Sequence, residues 1–333
     1  MSLLVDFGKE ADLDELLKMP ERSLYCHFLL LMSLLTTGCQ TMVRNDIPDR
    51  RHPSNERPWS PQVSLLPRIE LDDTISTPTQ DDLPHPDAEV VPATYSSLST
   101  DVKTPVRIHN VRNNRYITED DFIAKYEQRE YDLAKIRGVD LIVCPVQKRP
   151  YLANSILSFE FGDGEFLAVF AEVRTEIGES FSPALGTTNQ FEIAYVLADE
   201  KDVLRLRTRH QNSEIFIYPT TATPDQARMM FIDVMKRVNR LEVRPEFYHT
   251  ALNNCTSNIL QHLNALNPAG NTPHFSVLLP GLAARSAYQQ GILDQSQTFE
   301  KLKIRCQATE LSNEFYDDPD YSLRIRRRIT PIE

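Results

Sequence analysis

The run Ser155-Ile156-Leu157-Ser158-Phe159-Glu160-Phe161-Gly162-Asp163-Gly164-Glu165-Phe166-Leu167-Ala168-Val169-Phe170-Ala171 decides the fold class. Leu157, Phe159 and Phe161 alternate with Ser158 and Glu160, the two-residue period of a half-buried strand. Asp163-Gly164 is a turn pair for a tight hairpin, and 166–171 is the returning strand. Short strands are expected again at 191–197, 203–208 and 214–218. The period then lengthens. Thr223-Pro224-Asp225-Gln226 is a helix start, with Thr223 as N-cap, Pro224 at the first helical position and Gln226 completing a capping box. Ala227, Met230, Phe231, Val234, Val238 and Leu241 follow on one face. A second helix is expected from Cys255, with Ile259, Leu260, Leu263 and Leu266 at helical spacing. Strands followed by helices make an α+β domain, an antiparallel sheet packed against helices.

Before this domain the sequence changes character. Residues 41–103 are rich in Pro, Asp, Ser and Thr without apolar periodicity, so they are expected to be a disordered tether. Trp59 is an isolated apolar residue in it that can dock on the domain. Upstream, Phe28–Leu35 is too short to span a bilayer, which needs about 20 apolar residues. It fits the apolar region of an export signal, with Lys18 and Arg22 before it and Met19 as the start. Thr36-Thr37-Gly38-Cys39 is similar to a bacterial lipobox, although Leu35 stands one place early, and Cys39 would take the lipid. Residues 1–40 are therefore read as an export signal, 104–310 as the folded domain and 311–333 as a tail. The basic Arg324-Ile325-Arg326-Arg327-Arg328 in that tail suits a solvated terminus or a membrane-surface contact.

The 333 residues hold 36 Lys plus Arg against 47 Asp plus Glu, a net charge of −11, which argues against a nucleic-acid partner. The five cysteines, Cys26, Cys39, Cys144, Cys255 and Cys306, form no CxxC pair, so neither a zinc site nor a dense disulfide framework is indicated. A Cys144–Cys306 disulfide has no positive support. No glycine-rich phosphate loop is present, and no cofactor or metal is expected.

Cys255 is the strongest candidate for a reactive residue. Asn254 is a good N-cap, which puts Cys255 in the first turn, where free N–H groups and the macrodipole favour a thiolate. Those N–H groups could also supply half of an oxyanion hole. The same position suits a buried structural cysteine. A nucleophilic thiol needs a base. His249, six residues earlier, could return to the sulfur through its loop. His262 is seven residues on, about 10 Å along the helix, too far for direct transfer. His109, His210 and His274 read as surface residues. Glu172 and Arg174 point to one face of a strand, either as a surface ion pair or as a charged lining for a cleft that binds substrate.

The segments Asn110-Val111-Arg112, Tyr131-Asp132-Leu133, Val139-Asp140, Leu157-Ser158-Phe159, Ala171-Glu172-Val173-Arg174, Gly178-Glu179-Ser180, Glu200-Lys201-Asp202-Val203, Leu206-Arg207-Thr208, Asn239-Arg240-Leu241, Phe247-Tyr248 and Asn254-Cys255-Thr256 occur in order. Together they make residues 104–268 resemble the Lnb N-terminal periplasmic domain family. The resemblance implies a circularly permuted papain-like fold in which a histidine precedes the cysteine, and Cys255 matches that cysteine. The family's named member is a bacterial lipoprotein N-acyltransferase, so a lipid or lipoprotein substrate and thiol-dependent acyl transfer or amide hydrolysis are implied. Two departures follow. The family histidine falls at Asn154, which cannot exchange a proton at neutral pH, so a non-catalytic binding module is the alternative. The chain also ends without the membrane-spanning region of the full acyltransferase.

Overall fold

A computed structural model describes residues 68–70, 105–119, 121–146, 149–175, 181–182, 184–264, 266 and 282–329, all within one unit, Trp59–Glu333. In chain order the strands and helices are β1 (Arg68–Glu70), β2 (Val106–Arg112), β3 (Arg115–Tyr116), β4 (Phe122–Ile123), β5 (Tyr126–Tyr131), β6 (Ile136–Val146), β7 (Arg149–Phe161), β8 (Glu165–Arg174) and β9 (Glu192–Asp199). Then come α1 (Glu200–Arg205), β10 (Phe216–Pro219), α2 (Pro224–Val243), α3 (Cys255–Asn264), α4 (Ala283–Gln289), α5 (Phe299–Cys306), α6 (Thr309–Glu314) and α7 (Tyr321–Arg324). The main sheet runs β1-β2-β9-β8-β7-β6-β10, with β5 also on β2. The class is α+β. The sheet is not purely antiparallel, because β2 meets β9 in parallel at Arg112 and Ala198.

The deciding hairpin forms as read. Phe161 pairs with Glu165, so three residues, Gly162-Asp163-Gly164, make the turn, and Asp163 and Gly164 both have positive φ, 68° and 78°. The strand before it is not half-buried, however. Ser158 and Ile156 are as inaccessible as Leu157 and Phe159, because helices cover both faces of the sheet. On one face Phe159 and Phe161 meet Phe231 of α2 edge-on at 5.1 and 5.6 Å, and Ser155 meets Thr256 of α3. On the other face Ser158 donates to Glu200 of α1 at 2.5 Å.

Helix α2 keeps its predicted start. Thr223 Oγ1 accepts from the Gln226 N–H, and Gln226 Oε1 accepts from the Thr223 N–H. Its predicted apolar face is buried throughout.

Two readings are corrected. Residues 203–208 are helical rather than extended. Asp199 accepts from the Lys201 N–H at 3.0 Å and caps α1, and Leu206–His210 then form a π-turn. Glu200, Asp202, Val203 and Leu204 are all buried, and three of these are adjacent, as a helical turn covered on several sides allows. The basic terminus is solvated only in part, with Arg324, Arg327 and Arg328 exposed. Tyr321, Ile325 and Ile329 are in the core, and Arg326 is buried against Glu200 and Asp140. Within the expected tether, Arg68–Glu70 adds a strand antiparallel to β2. Cys26, Cys39, Trp59 and His274 lie outside the described residues.

Candidate functional site

Strands β7 and β8 are paired only from Leu157↔Val169 to Phe161↔Glu165. Beyond Leu157, β7 stays on β6 to Arg149, while beyond Val169, β8 stays on β9 to Arg174. The sheet therefore forks. The register sum is constant in an antiparallel pair, so continuing it across the gap sets Asn154 on one prong opposite Glu172 on the other. Side chains alternate along a strand, so both belong to the face of Ser158, not the face of Ser155.

The N-terminus of α3 comes to this fork. Asn254 Oδ1 accepts from the Ser257 N–H and Ser257 Oγ accepts from the Asn254 N–H, each at 2.8 Å. That reciprocal cap fixes Cys255 as the first helical residue. The loop before it is clamped: the Tyr248 N–H donates to Phe191 O at 2.7 Å and the Thr250 N–H to Gly186 O at 3.0 Å. A Cβ on Gly186 would collide with the Thr250 hydroxyl and press on the Tyr248 ring, so only glycine allows that close approach. Thr256, fully buried, links the thiol to β7, with Cys255 Sγ at 3.8 Å and Ser155 Oγ at 3.4 Å from its hydroxyl.

Arg207 and Glu172 are the charged groups within electrostatic range of the Cys255 thiol. Burial pushes its pKa up, Thr256 and Arg207 pull it down, and Glu172 pushes it up again. The net direction is upward. The expected acidified thiol is thus overturned, because desolvation of the thiolate outweighs the helix N-terminus. Cys144 and Cys306 are free and buried, each pushed by burial to about 12.

Behind Glu172 lies a charged group that the sequence reading did not pick out as a site. Arg112 Nε and Nη2 donate to Asp202 Oδ1 at 3.2 and 3.0 Å, and the Asn114 N–H donates to Oδ2 at 2.5 Å. Burial works against the Arg112 charge, yet Asp202, Tyr116 and Glu172 outweigh it and its pKa rises. Arg207, on the π-turn, is buried and donates to Gln211 at 2.7 Å while its Nε has no partner. Such turns frequently occur at functional sites. Reading 203–208 as a strand hid Arg207. The run Asp199-Glu200-Lys201-Asp202, a cap followed by an acidic first turn, was the signal available for a helix there.

Of the expected site residues, Cys255, Asn154 and Glu172 converge on the fork. Arg174 does not join Glu172: it donates to Glu192 on β9 at 2.9 Å, and both are half-exposed. His249 sits in its own turn, where Nδ1 accepts from the Ala251 N–H at 3.2 Å, so that nitrogen is already engaged. His262 is buried rather than stacked along an open helix side. Its Nδ1 meets Asp233 at 2.7 Å and its Nε2 meets Tyr195 at 2.8 Å.

The sequence model of the Lnb N-terminal periplasmic domain matches residues 122–283. These residues, just under half of the chain, are similar to that family's domain. Asn154, Glu172, Asp202, Arg207 and Cys255 all lie inside the Lnb N-terminal match, and Arg112 lies just before it. No curated protein and no solved structure matches the chain. As a periplasmic domain, the Lnb N-terminal domain marks an envelope protein. Among the described residues no helix is long and apolar enough to cross a membrane.

Proposed function

We propose that Cys255 is a thiol nucleophile for acyl transfer or amide hydrolysis at the cell envelope, in a domain with circularly permuted papain-like connectivity. The observation that carries this reading is the placement of Cys255 at the first position of a capped helix, facing an open fork in the sheet. Its sulfur would attack an ester or amide carbonyl, the leaving group would depart with a proton, and an amine or water would then release the acyl group. Free N–H groups in the first turn of α3 suit the developing oxyanion. The substrate class we assign is a lipid or lipoprotein acyl group.

Incubation with a p-nitrophenyl ester should leave one acyl adduct by intact mass, mapped to the Cys255 peptide. Cys255→Ala should form none. An adduct on Cys144 or Cys306 instead, or none in the parent protein, would sink the reading.

The rival reading is a binding module without catalysis. It is supported by the burial that raises the thiol pKa and by the resemblance, which would place the family histidine at Asn154. Attachment to the membrane would be through lipid on Cys39. Labelled fatty acid should then appear on the protein expressed in a bacterial host and vanish in Cys39→Ala. Label persisting in the variant would rule that anchor out.

A further inference from the structure

We propose that Asn258 is a positioning residue for Cys255: its side-chain amide fixes the peptide between Asn254 and Cys255 and so aims the Cys255 N–H at the oxygen of an attacked carbonyl. The proposal rests on the thiol-nucleophile reading above and goes beyond it by naming the oxyanion donor and the group that holds it.

An accounting of the backbone donors in this turn singles out that N–H. The Asn253 N–H goes to His249 O at 2.9 Å and the Asn254 N–H to Ser257 Oγ at 2.8 Å. The Ser257 N–H goes to Asn254 Oδ1 at 2.8 Å and the Asn258 N–H to Asn254 O at 3.2 Å. The Thr256 N–H acts on the sulfur, helping to draw its pKa down. The Cys255 N–H has no acceptor among the described residues, and it belongs to the residue that carries the sulfur.

The other end of the same peptide is held by three donors. Asn254 O accepts from Asn258 Nδ2 at 2.9 Å, from Ser257 Oγ at 3.0 Å and from the Asn258 N–H. A peptide is planar, so fixing its oxygen fixes the direction of its N–H. Hydrogen bonds in a chain also polarise one another, which makes that N–H a stronger donor.

Asn258 is itself immobile. It is 3% exposed, and its Nδ2 also donates to Asn253 Oδ1 at 2.8 Å. Its Oδ1 accepts from the Tyr195 hydroxyl of β9 and from Arg237 Nη2 of α2, each at 3.3 Å. One amide thus ties the Cys255 turn to the sheet and to α2. Capping the helix does not require this, because the reciprocal Asn254–Ser257 pair already closes its first turn.

In the acylation step the thiolate, its proton given up to water, bonds to the acyl carbon. The carbonyl π pair moves onto oxygen, and the Cys255 N–H donates to it. That pair re-forms the carbonyl as the bond to the leaving oxygen or nitrogen breaks, and the leaving atom takes a proton from water.

Two reagents separate aim from reactivity. Iodoacetamide loses iodide from a saturated carbon and forms no oxyanion, whereas a p-nitrophenyl ester forms one. In Asn258→Ala, Arg237 keeps Glu246 and Tyr195 keeps His262. Acylation of Cys255 in this variant should slow about 10-fold, short of the 10²–10³-fold that follows outright loss of such a donor, while alkylation stays within about twofold. Ser257→Ala removes a second donor from the same oxygen and should show the same split, and Ser257→Thr, which keeps the hydroxyl, should restore acylation. The Ser257 pair decides the matter should Asn258→Ala fail to fold. Equal slowing of both reactions, or no slowing of either, overturns the positioning role and leaves the nucleophile reading standing. A parent that forms no ester adduct on Cys255 overturns the nucleophile reading, and the positioning role with it.

Discussion

Arg326→Met should destabilise the domain by about 3–5 kcal/mol, the loss expected when one partner of a buried ion cluster is removed. The guanidinium donates to Asp140 at 2.8 Å, to the two oxygens of Glu200 at 2.9 and 2.5 Å, and to Ser322 O at 2.7 Å. It also lies 4.0 Å over the Phe166 ring. Glu200 is 1% exposed and Asp140 15%, so neither carboxylate can turn to water. Arg327→Ala is the control: its pair with Glu314 is 45% and 51% exposed and should contribute less than about 1 kcal/mol.

The pH dependence separates this mechanism from simple loss of packing. In the parent, burial alone would raise Glu200, but Arg326 outweighs it and the pKa is lowered. That contribution to stability is present above the unfolded value, about 4.3, and is lost as pH falls through the folded value. Without Arg326, Glu200 should rise above its unfolded value and Asp140, which burial already raises in the parent, should rise further, so the native state binds the extra protons. The deficit should then be greatest near pH 8 and shrink toward pH 5. Urea unfolding of both variants across that range checks it, and a deficit that is constant with pH would refute the account.

Arg326 also shows why part of the fold was not legible. A run of four arginines within five positions reads as a solvated end by composition alone. Only the tertiary structure brings Glu200, from a helix more than a hundred residues earlier, against the one guanidinium that is buried. The elements that could be read had local signals: the Asp163-Gly164 turn, and the Thr223 cap with its apolar face. The 203–208 error came from a six-residue window too short to separate a period of 2 from a buried helical turn. Ser158 was assigned to a solvent face because a strand covered on both sides can still carry polar residues, provided partners such as Glu200 arrive from elsewhere.

The capped position of Cys255 was legible in the sequence, and its surroundings were not. Asn254 and Ser257 are near neighbours of Cys255, so the capped first turn could be inferred from adjacent letters. Glu172 was visible as a charge on a strand, but its pairing with Arg174 was assumed from adjacency on one face. Cross-strand register gives Arg174 to Glu192 instead, and only the end of β7–β8 pairing sets Glu172 apart. The direction of the thiol shift was misjudged because helix position is readable from sequence while depth of burial is not.

Asn154→His tests whether residue 154 holds the place of a missing base. The register puts residue 154 on the prong facing Glu172, on the face from which Arg207 acts on the thiol. An asparagine amide there can orient a partner but cannot carry a proton between sulfur and leaving group. An imidazole can, and Glu172 across the fork could accept its second N–H and hold the ring toward Cys255, the arrangement of nucleophile, base and orienting acid. General acid–base help of this kind contributes about 10²–10⁴-fold, so adduct formation and turnover of a p-nitrophenyl ester should rise by a factor in that range. Cys255→Ala in the same background should abolish the gain, and Glu172→Gln should cut it, because the ring loses its orienting partner. Residue 154 is half-buried rather than sealed in the core, so the larger ring should be accommodated without loss of the fold, as a thermal melt would record. A folded Asn154→His protein with no gain would mean that residue 154 does not serve the sulfur, and the binding-module reading would then be the stronger one.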